Sequence, residues 1–336
     1  MPTPKTDNRY VRAFASARRG RWSDAHLANV VRILGHLDAF LTEAGTTLLD
    51  AEPVDLNEYI NARLDVVAAN TVIGDHTALK SFYRWAAQDP GDGRPLRAIN
   101  PMLRVEAPKG DDPDPDRTPV ATEGQYRALL ATCHRSAKRA GRGAKVVNDR
   151  RDAAILAVLW STGARRSELA RAELRHVDWD QAMLHLPKTK GRGKTRSRDV
   201  YLDDEAIERL TLYVHERGEH AGPLFETTHT LPGTHQRAGI KPNTITLMLR
   251  RRCVLAGIGE QYATAHFGAH AFRRALATDW LDSGGSVTTL ETNMGWKHDG
   301  RMAANYTRAQ EAKLAAAEAQ RVHAARRGGA HLRAVG

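Results

Sequence analysis

Trp160-Ser-Thr-Gly-Ala-Arg-Arg-Ser-Glu-Leu169 reads as a junction between two helices, and the rest of the chain is best read outward from it. Upstream, Asp152–Ser161 is apolar enough to form a buried helix through Ile155, Leu156, Val158, Leu159 and Trp160. Gly163 suits the left-handed cap that ends such a helix, and Ser167 suits the N-cap of the next, with Glu168 in its first turn. Arg165 is then held in a tight turn between two helix ends. A guanidinium fixed there can grip two oxygens of one phosphate with its planar fork. Glu168 either orients Arg165 through a salt bridge or favours the helix N-terminus by its charge. Taken alone, a surface arginine at a helix junction is the plainer reading.

Downstream, Ala182-Met-Leu-His-Leu186 and Asp199-Val-Tyr-Leu202 form short strands around Lys188-Thr-Lys-Gly-Arg-Gly-Lys-Thr-Arg-Ser-Arg198, a run of six cations and no acid. Gly193-Lys194-Thr195 is not a nucleotide-binding P-loop, because position 188, where the first glycine should stand, is lysine and a strand follows. A hairpin with a cationic tip, set against a nucleic-acid backbone, fits the pattern. Most of its cations, Arg192 and Arg196 among them, are expected to make phosphate contacts. One ammonium can serve as proton donor to a leaving oxygen; Lys190 is the first candidate, with Lys188 and Lys194 as rivals.

Two further words complete the set. In His270-Ala-Phe-Arg-Arg-Ala-Leu-Ala-Thr278, His270 and Arg273 lie one helical turn apart, while Phe272 and Leu276 occupy another stripe that can enter the core. In Met294-Gly-Trp-Lys-His-Asp-Gly-Arg-Met-Ala-Ala-Asn-Tyr306, the Trp296 indole N–H can donate to a phosphate oxygen but cannot shuttle a proton. Tyr306 supplies a phenol that can attack a phosphodiester.

The 336 residues, 41% of them hydrophobic, are enough for two domains. The formal charge of +11 and pI near 9.9 point to a polyanionic partner, nucleic acid first. Residues 1–110 hold 14 Lys/Arg against 13 Asp/Glu, which leaves 36 against 26, or +10, for the remainder. Cys133 and Cys253 stand in no metal-ligand spacing and suit a reducing compartment. The polar N-terminus and the lack of a long apolar run suggest a soluble, cytoplasmic chain with no membrane partner. Residues 1–21 read as a flexible basic arm. Helices are expected from Ser23-Asp24 onward, over Leu56–Ala69 and over Thr71–Ala87, the last stopped by Asp89-Pro-Gly-Asp-Gly. Asp111-Asp-Pro-Asp-Pro-Asp116 marks a linker, placed at 109–118. Beyond it come a helix over Thr122–Ala137, a basic loop to Arg151, a helix from Asp203 to about Arg217, a loop around Pro223 and Pro232, and helices again from Asn243.

Together, and in this order, these segments resemble the tyrosine recombinase (phage integrase) family. Its active site is built from a Thr-Gly-x-Arg-x-Ser-Glu-Leu box, a hairpin lysine, a His-x-x-Arg box, a Gly-His/Trp box and a terminal tyrosine. Leu79-Lys-Ser-Phe-Tyr-Arg-Trp85 with Asn100-Pro101 is similar to the helical core-binding domain of that family. The resemblance covers roughly residues 22–310 and implies a mainly α fold with a small antiparallel β-sheet. It implies a helical, SAM-like core-binding domain over 22–108 and an α+β catalytic domain with a C-terminal tail over 119–336. The implied catalytic set is Arg165, Lys190, His270, Arg273, Trp296 and Tyr306, with Glu168 and His298 supporting. DNA contacts are expected from Lys80, Arg84, Lys188, Arg192, Lys194, Arg196 and Arg274, the last standing where many relatives carry histidine. The interval from Trp296 to Tyr306 is one residue longer than usual, which makes His298 a contender for the place of Trp296. The activity implied is site-specific recombination of double-stranded DNA through a 3′-phosphotyrosyl intermediate, by a chain monomeric when free and tetrameric on DNA, with no cofactor and no metal. A type IB topoisomerase-like nicking-closing enzyme is the nearest alternative, and an inactive DNA-binding regulator on the same fold is another.

Overall fold

A computed structural model describes residues 8–88, 94–110, 119–139, 143–188, 197–230, 237–258, 267–296, 298, 303 and 319–323. The chain divides into two compact units, one built chiefly from residues 1–115 and the other chiefly from residues 116–336.

The first unit is helical: α1 (Arg9–Arg18), α2 (Asp24–Glu43), α3 (Pro53–Leu64) and α4 (Ala69–Ala86), followed by a single 3-10 turn at Pro101–Arg104. The caps are local and readable. Asn8 accepts from the Tyr10 N–H, Ser23 accepts from the His26 N–H, and Pro53 opens α3 where a missing N–H costs nothing. Leu34, Leu37, Leu41, Leu79 and Phe82 are fully enclosed between the helices. Lys80 and Arg84 lie one turn apart on the exposed side of α4. The chain after α4 is pinned at Arg97, whose Nη1 donates to the Leu49 and Ala51 carbonyls at 2.6 Å each.

One expectation changes here. From Arg9 onward the supposed arm is helix α1, and its Val11 and Phe14 are fully buried. Phe14 meets Trp22, Phe82 and Trp85 with ring centroids 5.4–5.7 Å apart. Burying a phenylalanine contributes about 1.5–3 kcal/mol, while Arg9, Arg12 and Arg19 stay exposed to solvent.

The second unit is organised around α6 (Gly143–Thr162), which packs against α5 (Glu123–Arg139), α8 (Asp204–Arg217) and α10 (Ala269–Asp282). Every residue from Ala153 to Leu159 is buried, as expected of a helix that is apolar all round. The helix begins earlier than the sequence suggests, so the expected basic loop up to Arg151 is helical from Gly143. α7 (Arg166–Leu169) is a single turn. A three-stranded antiparallel sheet follows, in the order β1 (Val177–Asp178), β2 (Met183–Leu186), β3 (Arg198–Tyr201). Leu184 pairs with Val200 and Leu186 with Arg198, so these four residues share the core face. The loop expected after α8 contains a second sheet, β4 (Glu226–Thr230) with β5 (Arg237–Gly239). α9 (Pro242–Ala256), α10 and α11 (Val287–Met294) complete the unit. Among the described residues no helix is long and apolar enough to cross a membrane.

Candidate active site

Gly163 ends α6 with φ +57°, the left-handed cap expected of it. A Cβ there would stand 3.2 Å from the Arg273 Cα, so the missing side chain also lets α10 approach. Two residues on, Arg165 and not Ser167 is the N-cap of α7. Its side chain cannot accept a hydrogen bond, and Glu168 takes over the capping: Oε2 accepts from the Arg165 N–H at 2.9 Å. Oε1 accepts from Arg165 Nη1 at 2.7 Å. Glu168 thus caps the helix and orients the guanidinium at once.

A second arginine, one not anticipated as a site residue, completes this cluster around Glu168. Arg198, at the start of β3, donates Nη1 and Nη2 to the two Glu168 oxygens at 2.9 Å each, and Nε to the Asn293 carbonyl at 2.6 Å. Burial opposes the charge on Glu168, but the Arg198 hydrogen bonds and charge, followed by the Arg165 N–H and charge, hold its pKa below the ordinary value. Glu168 is therefore an anion at neutral pH. A signal for Arg198 was present in the sequence: positions 198, 200 and 202 share strand parity, and Val200 and Leu202 are apolar. A cation on the inward face needs a buried partner.

Arg273 reaches the same place from α10. It is 2% exposed, and donates Nη1 to the Gly163 carbonyl at 2.9 Å and Nη2 to the Met294 carbonyl. Arg165 Nη1 lies 3.5 Å from that same Met294 oxygen. The two guanidinium groups, distant in sequence, therefore meet at one carbonyl. Gly295, at φ +59°, ends α11 and turns Trp296 under Arg273, with the guanidinium carbon 5.3 Å from the ring centroid. His298 is exposed and pairs with the buried Glu291 at 3.3 Å. Of the two contenders for that place, it is Trp296 that faces Arg273.

His270 opens α10 at the surface, one turn before Arg273. Partial burial of the ring, and then the charges of Arg273, Arg165, Arg274 and Arg166, lower its pKa and favour the neutral imidazole. Arg274 is half-buried beside it, and Lys188 is exposed just after β2. Lys190, Arg192, Lys194, Arg196 and Tyr306 lie outside the described residues. The structure thus brings together Arg165, Glu168, Arg273 and Trp296, with His270 within their electrostatic reach.

All of these residues fall within positions 120–313, the stretch matched by the model of the phage integrase family. The chain belongs to that family. It is similar to the tyrosine recombinase XerD of Caulobacter vibrioides, 27% identical over 265 residues that cover 76% of this chain and 77% of that protein. It is similar also to the tyrosine recombinase XerC of Mycobacterium tuberculosis, 26% identical over 263 residues, or 78% of this chain and 80% of the relative. Among solved structures it shares its fold with the XerH site-specific recombinase bound to palindromic difH substrate (TM-score 0.66, 14% identity, covering 92% and 94% of the two chains). The Tn1549 transposon integrase in complex with circular intermediate DNA gives a TM-score of 0.62 at 17% identity, covering 88% and 94%. The mainly helical architecture with small antiparallel sheets is the integrase fold.

Proposed function

We propose that this integrase-family chain is a site-specific tyrosine recombinase that cleaves and rejoins double-stranded DNA through a covalent 3′-phosphotyrosyl intermediate. The observation that carries the reading is the convergence of Arg165 and Arg273 on the Met294 carbonyl, beside Trp296 and His270. Two forked cations held at one point suit a single phosphate. The site-specific recombinase XerH bound to difH and the transposon integrase bound to circular intermediate DNA support DNA as the partner.

In this reading Arg165, Arg273 and the Trp296 N–H bind the scissile phosphate and stabilise the charge that builds on its nonbridging oxygens. Tyr306 attacks phosphorus, and the 5′-oxygen leaves. A free phenol titrates at about pH 10, so its proton must be taken up as it attacks. His270, whose neutral form is favoured by partial burial and then by its arginine neighbours, is suited to accept that proton or to hold the phosphate. A hairpin lysine, Lys190 first, gives its proton to the departing 5′-oxygen. A 5′-hydroxyl from the partner duplex then attacks the phosphotyrosine, the phenol leaves, and the phosphodiester is restored. Each step exchanges one phosphate ester for another of similar energy, so neither ATP nor a metal ion is required. Exchange between two duplexes uses four strands, and so four copies of a chain that is monomeric when free. The first unit, with Lys80 and Arg84, is assigned as the core-binding domain, 109–118 as the linker, and 119–336 as the catalytic domain. Phosphate contacts from the strongly basic second unit should make affinity fall steeply with salt. A compartment holding DNA and reduced thiols, the cytoplasm, suits this activity.

The test is a nicked suicide duplex carrying the cognate site, with protein–DNA adducts resolved on a denaturing gel. Wild type should accumulate adduct and Tyr306→Phe none. Absence of adduct with wild type, or its persistence in Tyr306→Phe, overturns the proposal. Exchange into a second duplex, rather than simple resealing, separates recombination from nicking-closing.

A further inference from the structure

The hairpin that carries the cationic tip is tied to the arginine site by one side chain. Arg198 is the first residue of the return strand β3, two positions after the last tip cation, Arg196. It is 7% exposed, and all three of its donor nitrogens are engaged at the site. Two hold both oxygens of Glu168, and the third holds the carbonyl of Asn293, next to the Met294 carbonyl on which Arg165 and Arg273 converge. Glu168 has no freedom left: rotation about its terminal bond would break two charged hydrogen bonds to Arg198. The Oε1 that receives Arg165 Nη1 is therefore fixed from β3, not by α7 alone.

We infer that Arg198 is a positioning residue for Arg165. It locks the Glu168 carboxylate, and the locked carboxylate sets the direction in which the Arg165 fork presents its remaining donors. Without Arg198, Glu168 would keep Arg165 as its one charged partner among those described and could turn both oxygens onto it. That movement draws the fork away from a phosphate. A second consequence follows from the place of Arg198 in the chain. Arg198 belongs to β3, which pairs with β2, so a displacement of that strand pair would loosen Arg165 through Glu168.

The inference rests on the proposed recombinase activity, and two readouts keep their failures apart. Full-length Arg198→Lys, Glu168→Gln and the double variant are compared with wild type for the rate of adduct formation at saturating nicked duplex, and for the Kd of the duplex. Lysine keeps one charged contact and so preserves folding better than a neutral replacement. Arg198→Lys should slow adduct formation roughly 10–100-fold, the scale for partners that orient a contacting group, with the Kd changed less than about threefold. Because both residues act through one linkage, the double variant should be no slower than the slower single variant. Losses that multiply, a wild-type rate in Arg198→Lys, or a defect confined to the Kd each overturn the inference. Crystals of Arg198→Lys give a readout that needs no activity. A displaced Arg165 side chain supports the linkage, and an unmoved one refutes it. Wild type that forms no adduct would sink the function while leaving this structural test intact.

Discussion

The second unit buries two networks made of the same materials, carboxylates and arginines, and they have opposite characters. In the first, Glu168 holds Arg165 and Arg198. In the second, Asp152 and Asp149 bracket Arg252: Nη2 lies 2.6 Å from each aspartate and Nε 3.1 Å from Asp152. Arg151 adds a bond to Asp152 and another to the Glu226 carbonyl, which ties α6, α9 and β4 together. Arg252 is 1% exposed and closed in. The Arg165 side chain is 24% exposed, and its Nε and Nη2 make no hydrogen bond to any described residue. Residue type does not separate Arg165 from Arg252. The difference between these two is an edge of the guanidinium that faces solvent on Arg165 while its other edge is fixed.

That contrast predicts a division of effects. Asp152→Ala should produce the largest change, a loss of about 3–5 kcal/mol of folding stability, because Arg252 and Arg151 are left buried with fewer counter-charges. Urea denaturation measures it, and the adduct-forming rate per folded molecule should stay within about threefold of wild type. If Asp152→Ala instead slowed adduct formation with stability intact, the closed network would not be merely structural.

Arg165→Ala should do the reverse. Loss of one group aimed at developing charge costs about 10²–10³ in rate. Folding should change little, since Glu168 keeps both bonds from Arg198. Single-turnover kinetics at saturating duplex, set beside a denaturation curve, check both parts. A large stability loss with an unchanged rate would erase the distinction between the two networks.

Two glycines sharpen the comparison at a smaller scale. Gly163 and Gly257 both hold left-handed conformations, at φ +57° and +64°. A Cβ at Gly257 meets nothing within 4 Å, whereas at Gly163 it meets the Arg273 backbone, Leu276 and Met294. Gly257→Ala should therefore cost only the conformational penalty, roughly 1–2 kcal/mol. Gly163→Ala should cost more than that and slow adduct formation roughly tenfold by shifting Arg273. Equal losses at the two positions would show that the close approach of α10 is not needed.

How much of this was legible follows the range of the interactions. Gly163, Arg165 and Glu168 fall within six positions, and their cap-and-turn chemistry can be read locally. The caps at Ser23 and Asp203 were readable for the same reason. Arg198 was hidden by its neighbours: in a run of six cations every member looks solvated, and only strand parity sets it apart. Val11 and Phe14 were hidden likewise among arginines, although their three-residue spacing is that of a helix face. The bond from Arg252 to Asp149 spans 103 residues, and no local pattern announces it. The β4–β5 pair was masked by the prolines around it, at 223 and 232, which read as loop.

The smallest effect concerns His270, and it tests whether the open network acts beyond its own contacts. Burial, and then the charges of Arg273, Arg165, Arg274 and Arg166, lower the pKa of this imidazole from its ordinary value. A positive neighbour disfavours the protonated ring, so removing Arg165 should move the pKa up, by less than the whole depression because burial and three other arginines remain. The same sign governs stability: His270 contributes most above the unfolded pKa, and that contribution is lost as pH falls and the unfolded chain takes up the proton first. An NMR titration of the His270 ring protons, in wild type, Arg165→Ala and Asp152→Ala, reads the pKa without reference to activity. Arg165→Ala should titrate at higher pH than wild type. Asp152→Ala should titrate with wild type, since none of the charges acting on His270 belongs to the closed network. A shift in both variants, or in neither, would mean that Arg165 has no specific effect on His270, and that burial with the remaining arginines is what favours the neutral ring.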